Sequence, residues 1–107
     1  MSRVEKHEQV FKALADAKRR EILDEIKDSP KTTGQLCAGF KGVDRCTIMQ
    51  HIGVLERAGL IVAKKEGRLR WNHINVVPIK EIYDRWICRY ASGATGFLAE
   101  MKRQLDE

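Results

Sequence analysis

The sequence predicts a mainly α fold carrying one small β-hairpin. Three observations lead there. Apolar residues recur at helical spacing, with capping residues between the stripes, as far as Gly59. The pattern then switches to period-two alternation on either side of Glu66-Gly67. From Pro78 onward a helical apolar stripe returns. Of the 107 residues, 43% are hydrophobic and 33% charged, an ordinary globular balance. That length fits one domain spanning 1–107.

The elements follow in order. Val4, Phe11 and Leu14, with Val10 beside them, predict a first helix from about Val4 to Ala15. Asp16 suits the N-cap of a second helix, Ala17 to about Lys27, with Ile22, Leu23 and Ile26 as its buried stripe. Lys18, Arg19 and Arg20 fall in its first turn, where the helix dipole disfavours cations, so a carboxylate or phosphate partner is expected. Ser29-Pro30-Lys31 is a break. Thr32 with Gln35 fits a capping box opening a third helix through about Phe40. After the turn Lys41-Gly42-Val43, Asp44 is placed to cap a fourth helix running to about Ala58. Ile48, Ile52 and Leu55 face inward on it, and Gly59 closes it.

Leu60–Lys65 and Arg68–Asn75 alternate around the hairpin signal, which predicts a two-stranded wing. Pro78 sits well in the first turn of a last helix running to about Leu105. Gly93 and Gly96 interrupt that helix and predict a bend or a close helix–helix approach. Helix, helix, helix-turn-helix, hairpin, long helix is the winged helix-turn-helix arrangement, with its core at about 16–75. The last helix is too apolar to stand alone. A homodimer through the first and last helices covers it, with Val10, Phe11, Leu14, Ile82, Trp86, Tyr90, Phe97, Leu98, Met101 and Leu105 in the interface. The competing arrangement is a monomer whose last helix folds back on its own core.

The net charge is +5. Between Lys41 and His73, seven basic residues stand against three acidic ones, so +4 of it lies in that stretch. Charge alone leaves open a polyanion partner or a merely solvated surface. The fold decides how the stretch is read: the fourth helix is placed in the major groove of double-stranded DNA. Arg45 can bond guanine in a bidentate manner and Gln50 adenine. Thr47 can meet a phosphate or a thymine methyl, and Met49 offers apolar contact only. His51 either contacts the backbone or packs on the helix. On the wing, Lys64, Lys65, Arg68 and Arg70 are expected along phosphates or in a minor groove, with Trp71 read as hairpin core.

Several segments resemble the ArsR-type (arsenic-repressor-like) winged-helix family. Leu14-Ala15-Asp16-Ala17-Lys18-Arg19-Arg20-Glu21-Ile22-Leu23 is similar to its "LADPTRRxIL" opening, with Ala17 in place of proline. Thr32-Thr33-Gly34-Gln35-Leu36 is similar to "TVGEL", and the run from Gln50 to Ile61 to "RHLKVLREAGLV". Glu66-Gly67-Arg68 matches the "EGR" wing turn, and Trp86 with Tyr90 resembles a "DWLxxY" pattern of members without metal sites. The resemblance, covering about Val10 to Ile74, implies a homodimeric repressor with DNA contacts from the fourth helix and the wing. Asp44, Arg45, Cys46 and Met49 depart from the family's usual serine, glutamine, proline or serine, and serine. Lys41 looks like a one-residue insertion. The operator sequence is therefore not carried over.

The cysteines Cys37, Cys46 and Cys88 are odd in number and widely spaced, which is not a disulfide framework. The family's close cysteine pair keeps only Cys37, and the last helix has no histidine, so neither metal nor other cofactor is expected. A thiol-based metal or redox sensor, with Cys46 near a helix N-terminus, is the alternative regulator. A winged helix used only for protein–protein contact is the alternative outside regulation. No phosphate loop, paired carboxylates or nucleophile–base pair points to an enzyme. The charged N-terminus and the lack of any apolar run near the roughly 18 residues of a membrane span predict a cytoplasmic protein. Such a repressor either acts constitutively, its own gene being one target, or is released from DNA by an inducer or a partner protein.

Overall fold

A computed structural model describes residues 2–87 and 102–105. The element order is α1 (Arg3–Leu14), α2 (Ala17–Ile26), β1 (Lys31–Thr32), α3 (Thr33–Gly39), α4 (Arg45–Arg57), β2 (Ile61–Glu66), β3 (Leu69–Ile74) and α5 (Val77–Trp86). It is the expected winged helix-turn-helix. The core gathers Val10 and Ala13 of α1, Ile22, Leu23 and Ile26 of α2, Leu36 of α3, and Ile48, Ile52 and Leu55 of α4. Leu60 and Ile61 close it at the foot of the hairpin.

The face that α1 buries differs from expectation. Its buried residues are His7, Val10 and Ala13, with Leu14 packed partly against the core. Val4 and Phe11 are 63% and 39% exposed. Positions 4 and 11 share one line along the helix, and positions 7 and 14 another. The helix is rolled so that the second line faces in, and the aromatic ring of His7 occupies a core position.

The corner between α1 and α2 answers the charge problem in the first turn of α2. Asp16 is the N-cap and accepts from the backbone N–H groups of Lys18 and Arg19 at 2.8 and 3.2 Å. Those bonds, that of Arg19 foremost, hold its carboxyl below the ordinary value. Lys18 finds a carboxylate, Glu21, at 2.9 Å. Arg19 and Arg20 turn instead to main-chain carbonyls. Arg19 donates to the carbonyls of Ala13 (2.8 Å) and Lys12 (3.0 Å), and Arg20 to that of Leu14 (2.6 Å). These carbonyls belong to the last turn of α1, the negative end of its dipole, so cations misplaced on their own helix serve the preceding one.

Thr32 and Gln35 form the predicted capping box of α3. Asp44 occupies the N-cap position of α4 but its side chain makes no capping hydrogen bond, correcting the role expected for it. The other end of α4 closes as read. Gly59 takes φ +82°, its N–H donates to Glu56 O, and that of Leu60 to Leu55 O, both at 2.9 Å. This is a Schellman closure, which needs the left-handed residue that glycine supplies cheaply.

The sheet is three-stranded and antiparallel in the order β1-β3-β2, where a two-stranded wing was expected. Lys31 and Thr32 pair with Asn72 and Trp71. Glu66 pairs with Leu69, so the tight turn is Gly67-Arg68. Gly67 has φ +62° and Arg68 does not share the sign, the pattern of a type II′ hairpin.

In α5, Ile82 packs partly against the core, while Ile79 and Trp86 are exposed. Phe11 and Trp86 stack at 5.8 Å between centroids, joining α1 to α5. Val10 is 2% exposed and belongs to the chain's own core, so its expected place in a subunit interface is corrected. Leu105 is 82% exposed within the helical residues 102–105. Cys88, Tyr90, Gly93, Gly96, Phe97, Leu98 and Met101 lie outside the described residues. Among the described residues no helix is long and apolar enough to cross a membrane.

Candidate nucleic-acid interface

The inward stripe Ile48, Ile52, Leu55 fixes the roll of α4 and so decides what it presents outward. Arg45, Met49 and Gln50 are exposed on its first turns, Met49 at 49%. Thr47 is half-buried. His51 is half-buried too, and its Nδ1 lies 3.4 Å from Arg19 Nη1. Guanidinium only donates, so Nδ1 is the accepting side of this contact. The packing role considered for His51 therefore has a specific partner on α2.

Alternation sorts the hairpin. Residues directly opposite in an antiparallel pair share a face. Ile61/Ile74, Ala63/Asn72 and Lys65/Arg70 form one set. Val62/His73, Lys64/Trp71 and Glu66/Leu69 form the other. Ile61 and Asn72 are buried, so the first set faces the body of the protein. Lys64, Lys65 and Arg68 are exposed. Lys64 lies 3.7 Å from Glu66, a pair that solvent screens strongly. Arg68 stands at the turn, with no ion-pair partner among the described residues. Arg70 does not join these cations. It is paired with Glu56 of α4 and donates to Asn72 Oδ1 at 3.1 Å.

Between α4 and the wing lies an open hollow. Arg45, Met49, Gly53 and Glu56 line its α4 wall, Arg68, Leu69 and Arg70 its wing wall, and Thr32, Thr33 and Gly34 its end. Thus Arg45 and Arg68, far apart in sequence, face one concave surface. Such a surface, bounded by an exposed helix and a cationic hairpin, suits a rod-shaped polyanion.

A family model described as a helix-turn-helix domain matches residues 14–62, from the end of α1 through the first residues of β2. The chain is 36% identical over 84 residues to the uncharacterized HTH-type transcriptional regulator YuzN of Bacillus subtilis, covering 73% of this chain and 91% of the relative. It is 29% identical over 72 residues to the transcriptional repressor SdpR of the same organism, covering 67% and 79%. The solved structure of an ArsR-like transcriptional regulator from Rhodococcus sp. RHA1 superposes with a TM-score of 0.70 at 26% identity, covering 94% of this chain and 92% of that one. The chain belongs to the ArsR-type family of winged helix-turn-helix transcriptional regulators.

As an ArsR-type regulator it carries an HTH DNA-binding domain, and its relatives are regulators rather than enzymes. Three residues that brace α4 and the wing escaped sequence reasoning. Arg19 braces His51 from α2, and Glu56 and Asn72 hold Arg70. Two of them left a trace: Asn72 is a polar residue in the inward register of β3, and Glu56 is an acid on the helix line of Arg45 and Met49. Of the cysteines, Cys37 is half-buried against the core and Cys46 exposed in the first turn of α4. Among the described residues no three His, Cys, Asp or Glu side chains gather as metal ligands.

Proposed function

We propose that this ArsR-type regulator is a homodimeric repressor that reads a specific double-stranded DNA site. The first turns of α4 enter the major groove, with Arg45, Thr47, Met49 and Gln50 at base edges and His51 at the backbone. Lys64, Lys65 and Arg68 of the wing lie along neighbouring phosphates. The observation that carries this reading is the shared hollow: an exposed arginine on α4 and another at the hairpin turn line one concave face. The relative named a transcriptional repressor supports repression as the outcome.

Dimerisation is supported by the apolar surface that α1 and α5 leave uncovered. Phe11 and Trp86 stack at the seam while remaining 39% and 47% exposed, and Ile79, Tyr83 and Ile87 continue the surface. A two-fold pair would set two α4 helices about 34 Å apart, on successive turns of a near-palindrome. The interface uses Phe11, Leu14, Ile82, Trp86 and residues of the final segment, without Val10.

The test is a binding titration on duplex from the region upstream of its own gene, across a salt series. Arg68→Ala weakens binding to every sequence and flattens the log–log salt slope by about 1. Gln50→Ala weakens the cognate duplex by about 1–3 kcal/mol and random duplex far less. Unchanged affinity in both variants, or a stable monomer by sedimentation, defeats the reading.

A further inference from the structure

We infer that Glu56, Arg70 and Asn72 form a strut that fixes the wing against α4, and that Arg70 serves DNA binding through this strut, not through a phosphate contact. The inference rests on the DNA-facing role proposed above for the hollow. The two outermost charges of the strut belong to different elements: Glu56 stands near the end of α4, Arg70 in β3. Arg70 lies in the inward register, with Asn72 and Ile74. Its Nη2 pairs with the Glu56 carboxylate and its Nη1 donates to Asn72 Oδ1 at 3.1 Å. Asn72 is fully buried, at 0% exposure. Its Nδ2 donates to Lys31 O at 3.2 Å and Thr33 Oγ1 at 3.1 Å. Those two donations fix the amide so that its oxygen is left for Arg70.

The chain of contacts therefore runs from β1 and the start of α3, through the buried amide, to the guanidinium and on to α4. A planar fork holds two acceptors in one fixed geometry, which an ammonium on a flexible stem does not. Swinging Arg70 outward to a phosphate along the wing would break both bonds and strand a buried amide oxygen, which is costly. Arg68, at the turn, meets no such demand. The strut thus sets the separation of the two walls of the hollow, and with it the fit to a duplex. Glu56 and Arg70 are positioning residues.

The experiment combines DNA titrations with NMR of the arginine side chains, on the full chain, using duplex from its own upstream region. Glu56→Gln and Arg70→Ala each weaken binding about 3- to 10-fold, and the double variant is no weaker than either alone. Their salt slopes match the wild type, whereas Arg68→Ala lowers the slope by about 1. Arg70→Lys fails to restore affinity, and the exchanged pair Glu56→Arg with Arg70→Glu recovers part of it. In the free wild type, Arg70 gives a distinct guanidinium signal that Glu56→Gln abolishes and that DNA leaves in place. A slope lowered by Arg70→Ala as by Arg68→Ala would make Arg70 a phosphate contact and overturn the strut. Tighter binding by Glu56→Gln would make Glu56 a competitor of phosphate and overturn it equally. If the wild type ignores duplex DNA, the DNA reading fails on its own, and the free-protein signal still judges the strut: no distinct signal, or none lost in Glu56→Gln, refutes it.

Discussion

Replacing Arg19 by alanine removes the staple between the first two helices. The carbonyl of Ala13 loses its 2.8 Å partner. Lys12 O loses the 3.0 Å bond but keeps a weaker one from the Ala15 N–H at 3.3 Å. A charged donor to a carbonyl contributes about 1.5–3 kcal/mol when buried, and partial exposure of this corner puts the first bond near the bottom of that range. The second bond is largely replaceable and adds about 0.5 kcal/mol. The expected loss is about 2 kcal/mol, a substantial part of the roughly 5–15 kcal/mol that holds a domain of this kind folded. It appears as a fall in melting temperature of about 10 °C, measured at one fixed protein concentration because association shifts the midpoint. Arg19→Lys keeps the charge but not the fork and recovers less than half. A change under about 0.5 kcal/mol in Arg19→Ala would show that the staple contributes nothing, and full recovery by lysine would show that the charge, not the fork, carries it.

Thr32→Ala removes one half of the capping box and lowers stability by about 1 kcal/mol in urea denaturation, while Thr32→Ser stays within a few tenths. Gly59→Ala forces a side chain into a left-handed backbone with φ +82° and costs about 1–2 kcal/mol by the same measurement. The Asp16 carboxyl is held below its ordinary value by backbone N–H groups. Its contribution is therefore complete above about pH 4 and is lost as acid titrates it in the folded protein. The stability advantage of the wild type over Asp16→Asn should accordingly narrow only in strongly acid solution, as followed by circular dichroism across pH.

Most elements were legible because their signals are local. The stripes of α2 and α4, the capping box at Thr32 and the glycine at 59 depend on residues within a few positions of one another. The roll of α1 was not legible, since Val4 and Phe11 looked as apolar as the line that is buried, and nothing local ranks a histidine at position 7 above them. Strand β1 is two residues long, too short for period two to register, and exists only because β3 offers an open edge. The partners of Arg19 and Arg20 are main-chain carbonyls, which carry no residue-type signature. At the candidate site, the exposed positions of α4 followed from its buried stripe. The inward pairing of Arg70 did not, because it depends on the register of the hairpin and on a carboxylate fourteen positions away.

Thr32 belongs to two elements at once. Its backbone pairs with Trp71 while its hydroxyl accepts from the N–H of Gln35 in α3. Hairpin and helix-turn-helix thus share a residue with no slack between them, so neither can open without releasing the other. Amide protons of β3 and of α3 should then exchange with solvent together, as one cooperative unit. Lengthening the hairpin at its far end should leave that exchange untouched, which makes the turn at Gly67-Arg68 the place where the reach of the wing can be altered without loosening its root.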